Sequence, residues 1–365
     1  MVFRVLSSNS LKSAISFNCV LMLNPYFYML NLRVSLKINN FIALLIFRNT
    51  LNIIFNNSNQ KGLKLSMIND FHKYIKAVGT GSKHNYDLEV EDMQEAMSLI
   101  LQKEAFAEQI SAFLLGWRMK PETTDEFIGA LNAFDKFVAK IDIKDSIELG
   151  YPYDGKRNNP YLVSLIANEL KNQNLNIIIT GDYLQPAKNG ITIKDIIPNI
   201  NYSSNLHYFD RKDIFPQMSD LTQIRNRLGI RTGLNSIERL INPANSQYAF
   251  IGVFHKPFVE KYAKIFGNRY KRLIIVKGNE GTSEIFSKTS YWIVEDGDIK
   301  EYKIDPKDFG IEYKKSWDRI TLEESISLIN NPDEELLKLA KLNSALILFA
   351  CEKVSSIEEG YSLLR

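Results

Sequence analysis

Residues 248–276 read YAFIGVFHKPFVEKYAKIFGNRYKRLIIV, which is an apolar run, an amphipathic stretch and a second apolar run. The two runs, Phe250–Val253 and Leu273–Val276, have the length and composition of buried strands, and the apolar spacing in Val259–Phe266 indicates a helix. Strands that alternate with helices predict a mostly parallel sheet that is covered by helices on both faces.

The same alternation continues on both sides of this stretch. Over residues 141–365 it predicts a large α/β domain. The other elements that we predict there are the strands Ile177–Ile179 and Tyr291–Val294 and the helices Tyr161–Leu170 and Pro332–Phe349.

Residues 67–140 show helical periodicity alone. Apolar residues recur there every three or four positions, as in Phe113 and Trp117, and the intervening loops are short. Helices joined by short loops pack as antiparallel neighbours, so this region is predicted to be a small helical domain. Helices near 220–243 are predicted to pack on it.

Residues 1–66 differ in composition from the rest of the chain. They contain seven basic residues and no acidic residue, and their apolar runs are shorter than the roughly 20 residues that span a bilayer. Three interpretations are open: a membrane anchor, a disordered leader, or upstream sequence translated from a start codon placed too early. The last is favoured, because ordinary amphipathic sequence begins abruptly at Met67.

Composition narrows the class of protein. Two cysteines, Cys19 and Cys351, are too few for a disulfide framework, and the four histidines form no zinc-binding spacing. This composition suits the cytoplasm. The net charge is +3, but outside residues 1–66 the chain has 38 basic and 42 acidic residues. A nucleic-acid-binding surface would therefore depend on local clustering of cations.

Several ordered motifs carry a resemblance to a known family. The stretch Arg225–Thr232, followed by Leu234-Asn235 and Ile241–Ala244, resembles a signature of glycosyltransferase family 3, which includes the anthranilate phosphoribosyltransferases and the pyrimidine nucleoside phosphorylases. Gln109–Leu114 and Arg118–Thr123 are similar to the helical N-terminal domain of the same family. The resemblance implies the two-domain fold predicted above, with a homodimer formed through the helical domain.

The phosphate-binding loop of this family is altered here. Active members wrap a diphosphate in Gly-Thr-Gly-Gly-Asp-Gly, because glycines let backbone N–H groups approach an anion closely. Pro152 lacks an N–H donor, and Tyr151 and Tyr153 place bulky rings where the diphosphate would lie. The corresponding residues are Gly150, Tyr151, Pro152, Tyr153, Asp154 and Gly155.

The family's magnesium site is reduced as well. The resemblance places its Asp-Glu pair at Ser283-Glu284, so that Glu284 alone remains. Magnesium prefers carboxylate oxygens together with substrate phosphates. We therefore expect no catalytic residue and no cofactor, and Glu284 is interpreted as the remnant of a metal site.

These departures resemble the YbiB-type subgroup, which keeps the fold and the dimer but is associated with nucleic-acid binding. Clustered cations would contact phosphates, and neighbouring aromatic rings such as Tyr151 and Tyr153 could stack on bases. Arg227, Arg231 and Arg239 would share one face if their helix were continuous. The predicted nucleic-acid-binding residues are Lys156, Arg157, Arg225, Arg227 and Arg231. A further basic group, which could equally be ordinary surface charge, is Lys256, Lys261, Lys264, Arg269, Lys271 and Arg272.

Three functions remain open at this point. The favoured one is a cytoplasmic homodimer that binds DNA or RNA with weak sequence preference and has no contact with a membrane. The second is an active, magnesium-dependent phosphoribosyltransferase or phosphorylase with a different acceptor, in which Arg225 contacts an acidic group as its family equivalent does. The third is a small-molecule sensor that uses the altered cleft.

Overall fold

The computed structural model describes residues 19–23, 26–30, 71–315 and 318–364. The chain forms two compact units, Met1–Ser66 and Met67–Arg365. In the first unit, strand β1 (Cys19–Leu23) pairs antiparallel with β2 (Tyr26–Leu30). The rest of that unit lies outside the described residues, so the interpretation of residues 1–66 stays a prediction. None of the described helices is long and apolar enough to cross a bilayer.

The second unit begins with a helical layer. Its elements are α1 (residues 71–79), α2 (Val90–Leu101), α3 (Ala107–Met119) and α4 (Thr124–Phe134). A Cβ on Gly129 of α4 would lie 2.4 Å from the Val90 carbonyl oxygen, so α2 and α4 pack as closely as a glycine permits. The indole N–H of Trp117 donates to buried Glu126 at 2.9 Å and joins α3 to α4.

A seven-stranded sheet forms the centre of the unit. In order across the sheet, its strands are β5 (Leu206–Asp210), β4 (Asn176–Gly181), β3 (Ser146–Gly150), β6 (Tyr248–Gly252), β7 (Arg272–Val276), β8 (Thr289–Glu295) and β9 (Asp298–Ile304). The first five are parallel, and β8 and β9 add antiparallel pairings. The predicted fold class, a helical N-terminal domain followed by an α/β domain with a mostly parallel sheet, is confirmed.

Alternate residues of each strand enter two apolar cores on opposite faces of the sheet. Ile251 and Ile275 belong to the core shared with the helical layer and α11 (Phe258–Phe266). Phe250 and Ile274 belong to the other core, which α13 (Glu334–Ala350) covers. The helices on this second side are α5 (Val163–Leu170), α6 (Ile193–Ile196), α12 (Leu322–Asn330), α13 (Glu334–Ala350) and α14 (Ile357–Leu363).

The helix carrying the family signature is interrupted. The elements of this region are α7 (Arg211–Ile214), α8 (Pro216–Asp220), α9 (Thr222–Leu228) and α10 (Leu234–Ile237). Gly229 has a φ of 68°, a conformation that favours glycine and ends α9. Arg227, Arg231 and Arg239 therefore do not share a helical face. This region contacts the helical layer, with Gly233 against the ring of Trp117.

The carboxyl ends of β3, β4, β6 and β7 meet at one edge of the sheet. The loops that follow them are residues 151–162, 182–192, 253–257 and 277–288. In open α/β sheets, ligands bind in the crevice beyond this edge. All the residues of the altered phosphate loop lie here.

Candidate functional site

The two tyrosines of the altered loop fill its interior. Tyr151 and Tyr153 are both buried, and their hydroxyls donate to Glu284 at 2.9 Å and to Thr180 at 2.8 Å. Burial raises the pKa of both phenols well above the ordinary value, so both stay neutral. Two neutral phenol rings are therefore buried within the altered loop.

Two backbone amides at the end of this loop are already used within the protein. The N–H of Gly155 donates to the Pro152 carbonyl at 3.1 Å, and the N–H of Lys156 donates to the Ile191 carbonyl at 2.8 Å. A Cβ on Gly155 would lie 2.5 Å from the carbonyl carbon of Gly190. The glycine thus allows the loop to pack against its neighbour, and these two amides do not point into an open anion site.

Lys156 and Glu284 form a buried ion pair below the loop. The Lys156 ammonium contacts one carboxylate oxygen of Glu284 and donates to the Pro160 carbonyl at 2.6 Å. The other carboxylate oxygen accepts from the Tyr151 hydroxyl and from the N–H of Leu162, the latter at 2.6 Å. Every oxygen of the remnant metal ligand therefore has a protein partner.

This arrangement does not fit a magnesium ion. A divalent cation at Glu284 would lie beside the Lys156 ammonium, in a site where burial strengthens the repulsion between like charges. Across the described residues, no group of three or more His, Cys, Asp or Glu side chains could hold a metal.

A second buried charge network lies beside the first. Arg225 forms a bidentate pair with Glu238 at 2.6 and 2.7 Å, and Arg211 contacts the same carboxylate and also Asp182, the latter at 2.6 Å. Burial opposes the ionisation of Glu238, but the two guanidinium groups outweigh it and hold its pKa below the ordinary value. Ser219 donates to Asp182 at 2.6 Å. Two cations and two anions neutralise each other within the protein.

Two of the predicted nucleic-acid-binding residues therefore require correction. Lys156 is 1% exposed and Arg225 is 0% exposed, and each is paired with a buried carboxylate. Tyr151 and Tyr153 are equally inaccessible to a base. Because a buried cation that is already neutralised cannot reach a phosphate, these four residues belong to the interior of the site.

The mouth of the cleft, by contrast, presents cations to solvent. Arg157 is exposed, although it follows Lys156 directly, and the Arg231 side chain is 51% exposed. The Arg231 Nε donates to Asp154 at 2.9 Å, and the Lys188 ammonium lies 3.4 Å from the same carboxylate. Burial lowers the pKa of Lys188, and the neighbouring carboxylates partly oppose this shift.

Hydrogen bonds between loops hold these cations together. Glu280 accepts from the N–H groups of Arg157 and Asn158 at 2.6 and 3.0 Å, and its carbonyl accepts from Lys188 at 3.0 Å. Arg319 is exposed and donates to the Asn189 carbonyl at 2.8 Å. Arg157, Lys188, Arg231 and Arg319, which we call the mouth cations, thus come from four separate segments.

Sequence reasoning missed Lys188 and Arg319. Neither belongs to a basic run around the altered loop, and only the tertiary fold brings them to Arg157 and Arg231. Lys188 does follow the carboxyl end of β4, which is the one sequence signal that could have identified it. Arg227 is exposed on α9, as the prediction requires.

Most of the further basic group is paired with neighbouring carboxylates. Four of its six members make ion pairs, and Lys261 donates to a backbone carbonyl at 2.7 Å. The pairs are Lys256 with Glu301, Arg269 with Asp135, Lys271 with Glu352, and Arg272 with Glu295. This group has the character of ordinary surface charge.

Comparison with known families gives two matches. The helical bundle domain of a glycosyl transferase family matches residues 72–137, and the α/β domain of the same family matches residues 203–365.

Similar full-length proteins support the same assignment. A protein of Aquifex aeolicus is 28% identical over 287 residues, covering 75% of this chain and 91% of the relative. An anthranilate phosphoribosyltransferase of Saccharolobus islandicus is 29% identical over 296 residues, covering 75% of this chain and 86% of the enzyme.

Solved structures share the fold. The anthranilate phosphoribosyltransferase of Thermus thermophilus superimposes with a TM-score of 0.65 at 17% identity, covering 80% of this chain and 92% of that one. The Saccharomyces cerevisiae enzyme, in complex with PRPP and Mg, gives a TM-score of 0.66 at 18% identity with the same coverage of each chain.

Proposed function

We propose that this chain, which belongs to the glycosyl transferase family of the anthranilate phosphoribosyltransferases, is a non-catalytic member that binds nucleic acid at the mouth of a closed cleft. The observation that carries the proposal is the contrast within the site. The interior charges are buried and neutralised by one another, while Arg157, Arg231 and Arg319 of the mouth cations remain accessible to solvent.

Three internal groups argue against phosphoribosyl transfer. Tyr151 and Tyr153 are buried in the loop that would have to close on a diphosphate, and the Lys156 ammonium is paired with Glu284, the expected metal ligand. A transferase of this family needs its diphosphate and metal positions open. Opening the metal position would break the buried Lys156–Glu284 ion pair, which is unfavourable.

The acceptor side is blocked in a similar way. In the family resemblance, the equivalent of Arg225 contacts the acidic group of the acceptor. Here the Glu238 carboxylate already forms both hydrogen bonds that a bidentate guanidinium offers. An external carboxylate would have to displace Glu238 from a site where it is fully buried.

The mouth has the chemistry of a phosphate-binding surface. Its two carboxylates are engaged locally, since Asp154 is buried between Lys188 and Arg231 and Glu280 accepts two backbone N–H groups. Four cations against two engaged anions leave a positive patch in an otherwise slightly acidic protein. Cations that contact backbone phosphates give affinity without strong sequence preference.

We extend the proposal to the subgroup of the family and to the oligomeric state of the protein. We place the chain in the YbiB-type subgroup and propose a cytoplasmic homodimer formed through the helical layer. The dimer is supported by α3, which exposes Leu115 and Met119 one turn apart on its outer face. Exposed apolar residues at this spacing suit a helix-to-helix contact.

Fluorescence anisotropy with a labelled oligonucleotide tests the function. The Arg157→Glu/Arg231→Glu variant should weaken binding by at least about tenfold, because each reversal removes a phosphate contact and adds repulsion. The matched control is Lys144→Glu/Lys171→Glu, which reverses two exposed cations near the opposite edge of the sheet and should leave affinity within about twofold. Unchanged affinity in the mouth variant would refute the proposal.

An active transferase is the second candidate. Gly150, Asp154, Gly155 and Glu284 are retained from the family pattern, and similar enzymes carry the activity. Calorimetric titration with phosphoribosyl diphosphate, with and without magnesium, separates the two functions. We expect no binding at micromolar concentration, and saturable magnesium-dependent heat would favour the transferase.

A further inference from the structure

Two large aromatic side chains are exposed at the same edge of the sheet as the mouth cations. Tyr183 is 51% exposed and Phe254 is 64% exposed. Tyr183 lies two residues beyond the end of β4, and Phe254 lies two residues beyond the end of β6. These strands flank β3, whose following loop carries Arg157.

Each ring has one described neighbour and is otherwise largely exposed to solvent. The Tyr183 ring has the Lys194 ammonium 4.6 Å from its centroid, and Lys194 is itself paired with Asp210. The Phe254 ring meets the His255 ring edge-on, with 4.8 Å between centroids. A single exposed aromatic residue needs no explanation, but two that flank a cationic mouth form a pattern.

We infer that the mouth is built for single-stranded nucleic acid, whose bases stack on Tyr183 and Phe254 while its phosphates contact the mouth cations. The inference rests on the proposed function and deepens it by naming the class of ligand. Exposed rings beside a cationic groove are the general means by which proteins hold unpaired strands, because every base has a face that can stack. A duplex keeps those faces covered by its own base stacking.

The sheet geometry is compatible with this mode. Neighbouring strands lie about 4.8 Å apart, so the ends of β4 and β6 are separated by about 10 Å, with β3 between them. A nucleic-acid strand that runs from Tyr183 to Phe254 must therefore pass the loop after β3. The phosphate contact at Arg157 and the stacking contacts at Tyr183 and Phe254 would then hold the same short segment of nucleic acid.

The test compares one labelled oligonucleotide as a single strand and as a duplex. The wild-type chain should prefer the single strand. Tyr183→Ala/Phe254→Ala should weaken single-strand binding by at least about tenfold and change duplex binding by less than about twofold. Tyr183→Phe/Phe254→Tyr keeps both rings and should retain most of the affinity, which separates stacking from a general loss of structure.

Tyr202→Ala provides the matched control. Tyr202 is another exposed tyrosine, but it precedes the amino end of β5 and so lies near the opposite edge of the sheet. Its removal should leave both affinities unchanged. Equal affinity for single strand and duplex, with no effect of the alanine variant, would overturn this inference while the proposed function stands. Binding of neither ligand would overturn both.

Discussion

The buried ion pairs Lys156–Glu284 and Arg225–Glu238 form the floor of the cleft. The floor and the mouth use the same residue types in opposite ways. Lys156 and Arg157 are neighbours in sequence, yet the first is buried against Glu284 and the second is exposed. The floor charges form closed pairs whose removal would disturb the fold, whereas Arg157, Arg231 and Arg319 at the mouth are exposed to solvent. A basic motif near the altered loop therefore does not by itself identify a ligand-binding surface.

The largest effect is expected from opening one pair on the floor. Glu284→Ala leaves the Lys156 ammonium buried without a counter-charge and removes the acceptor of Tyr151. Breaking a buried ion pair from one side destabilises a protein by about 3–5 kcal/mol. Urea unfolding followed by circular dichroism should show this loss, whereas Arg231→Ala at the mouth should cost about 1 kcal/mol or less.

A double variant tests whether the loss of stability in Glu284→Ala comes from the uncompensated charge of Lys156. Lys156→Met/Glu284→Gln removes both charges and should recover most of the stability lost in Glu284→Ala. If Glu284→Ala alone is as stable as the wild-type chain, the floor is not a closed pair and the contrast with the mouth disappears.

The sheet and its helices could be predicted from local pattern. The runs Phe250–Val253 and Leu273–Val276 became β6 and β7, and Pro332–Phe349 became most of α13, because buried strands and long amphipathic helices have strong periodic signals. The break at Gly229 was not predicted. A glycine inside a helical pattern is compatible with either a continuous helix or a cap, and only packing decides between them.

The site was less accessible to sequence reasoning. Burial of Lys156 and Arg225 depends on Glu284 and Glu238, which only the tertiary fold brings to them. The prediction that the altered loop cannot hold a diphosphate was argued from Pro152 and the two tyrosines. The buried rings support it, and it stays a prediction until ligand binding is measured.

An intermediate effect should come from a buried carboxylate that forms no ion pair among the described residues. Glu148 of β3 accepts from the N–H groups of Ile241 and Asn242 and from the Tyr270 hydroxyl. Burial raises its pKa from 4.5 to about 7, and these hydrogen bonds only partly oppose the shift. The pKa of Glu238, which contacts two arginines, is shifted in the opposite direction.

The direction of the pH dependence of stability follows from the raised pKa of Glu148. The folded state holds the proton of Glu148 more tightly than the unfolded state, so its contribution to stability is complete below about pH 4.5 and is lost as the pH rises towards 7. The loss should be roughly 2–3 kcal/mol. Urea unfolding at several pH values should show it, and Glu148→Gln should flatten that dependence. The exposed control Glu108→Gln should leave the pH dependence unchanged. An unchanged pH dependence in Glu148→Gln would contradict the raised pKa of Glu148.

The smallest effect on stability should come from Arg227, an exposed arginine four residues before Arg231 that is not one of the mouth cations. Within the described part of the chain, its side chain makes no hydrogen bond or ion pair. Arg227→Ala should change the free energy of unfolding by less than about 0.5 kcal/mol, as is usual for surface positions. Oligonucleotide affinity should fall about two- to fivefold, with a shallower salt dependence, because one peripheral phosphate contact is lost. A loss of several kcal/mol in stability would mean that Arg227 belongs with Arg225 in the interior, and the division between floor and mouth would then have to be redrawn along α9.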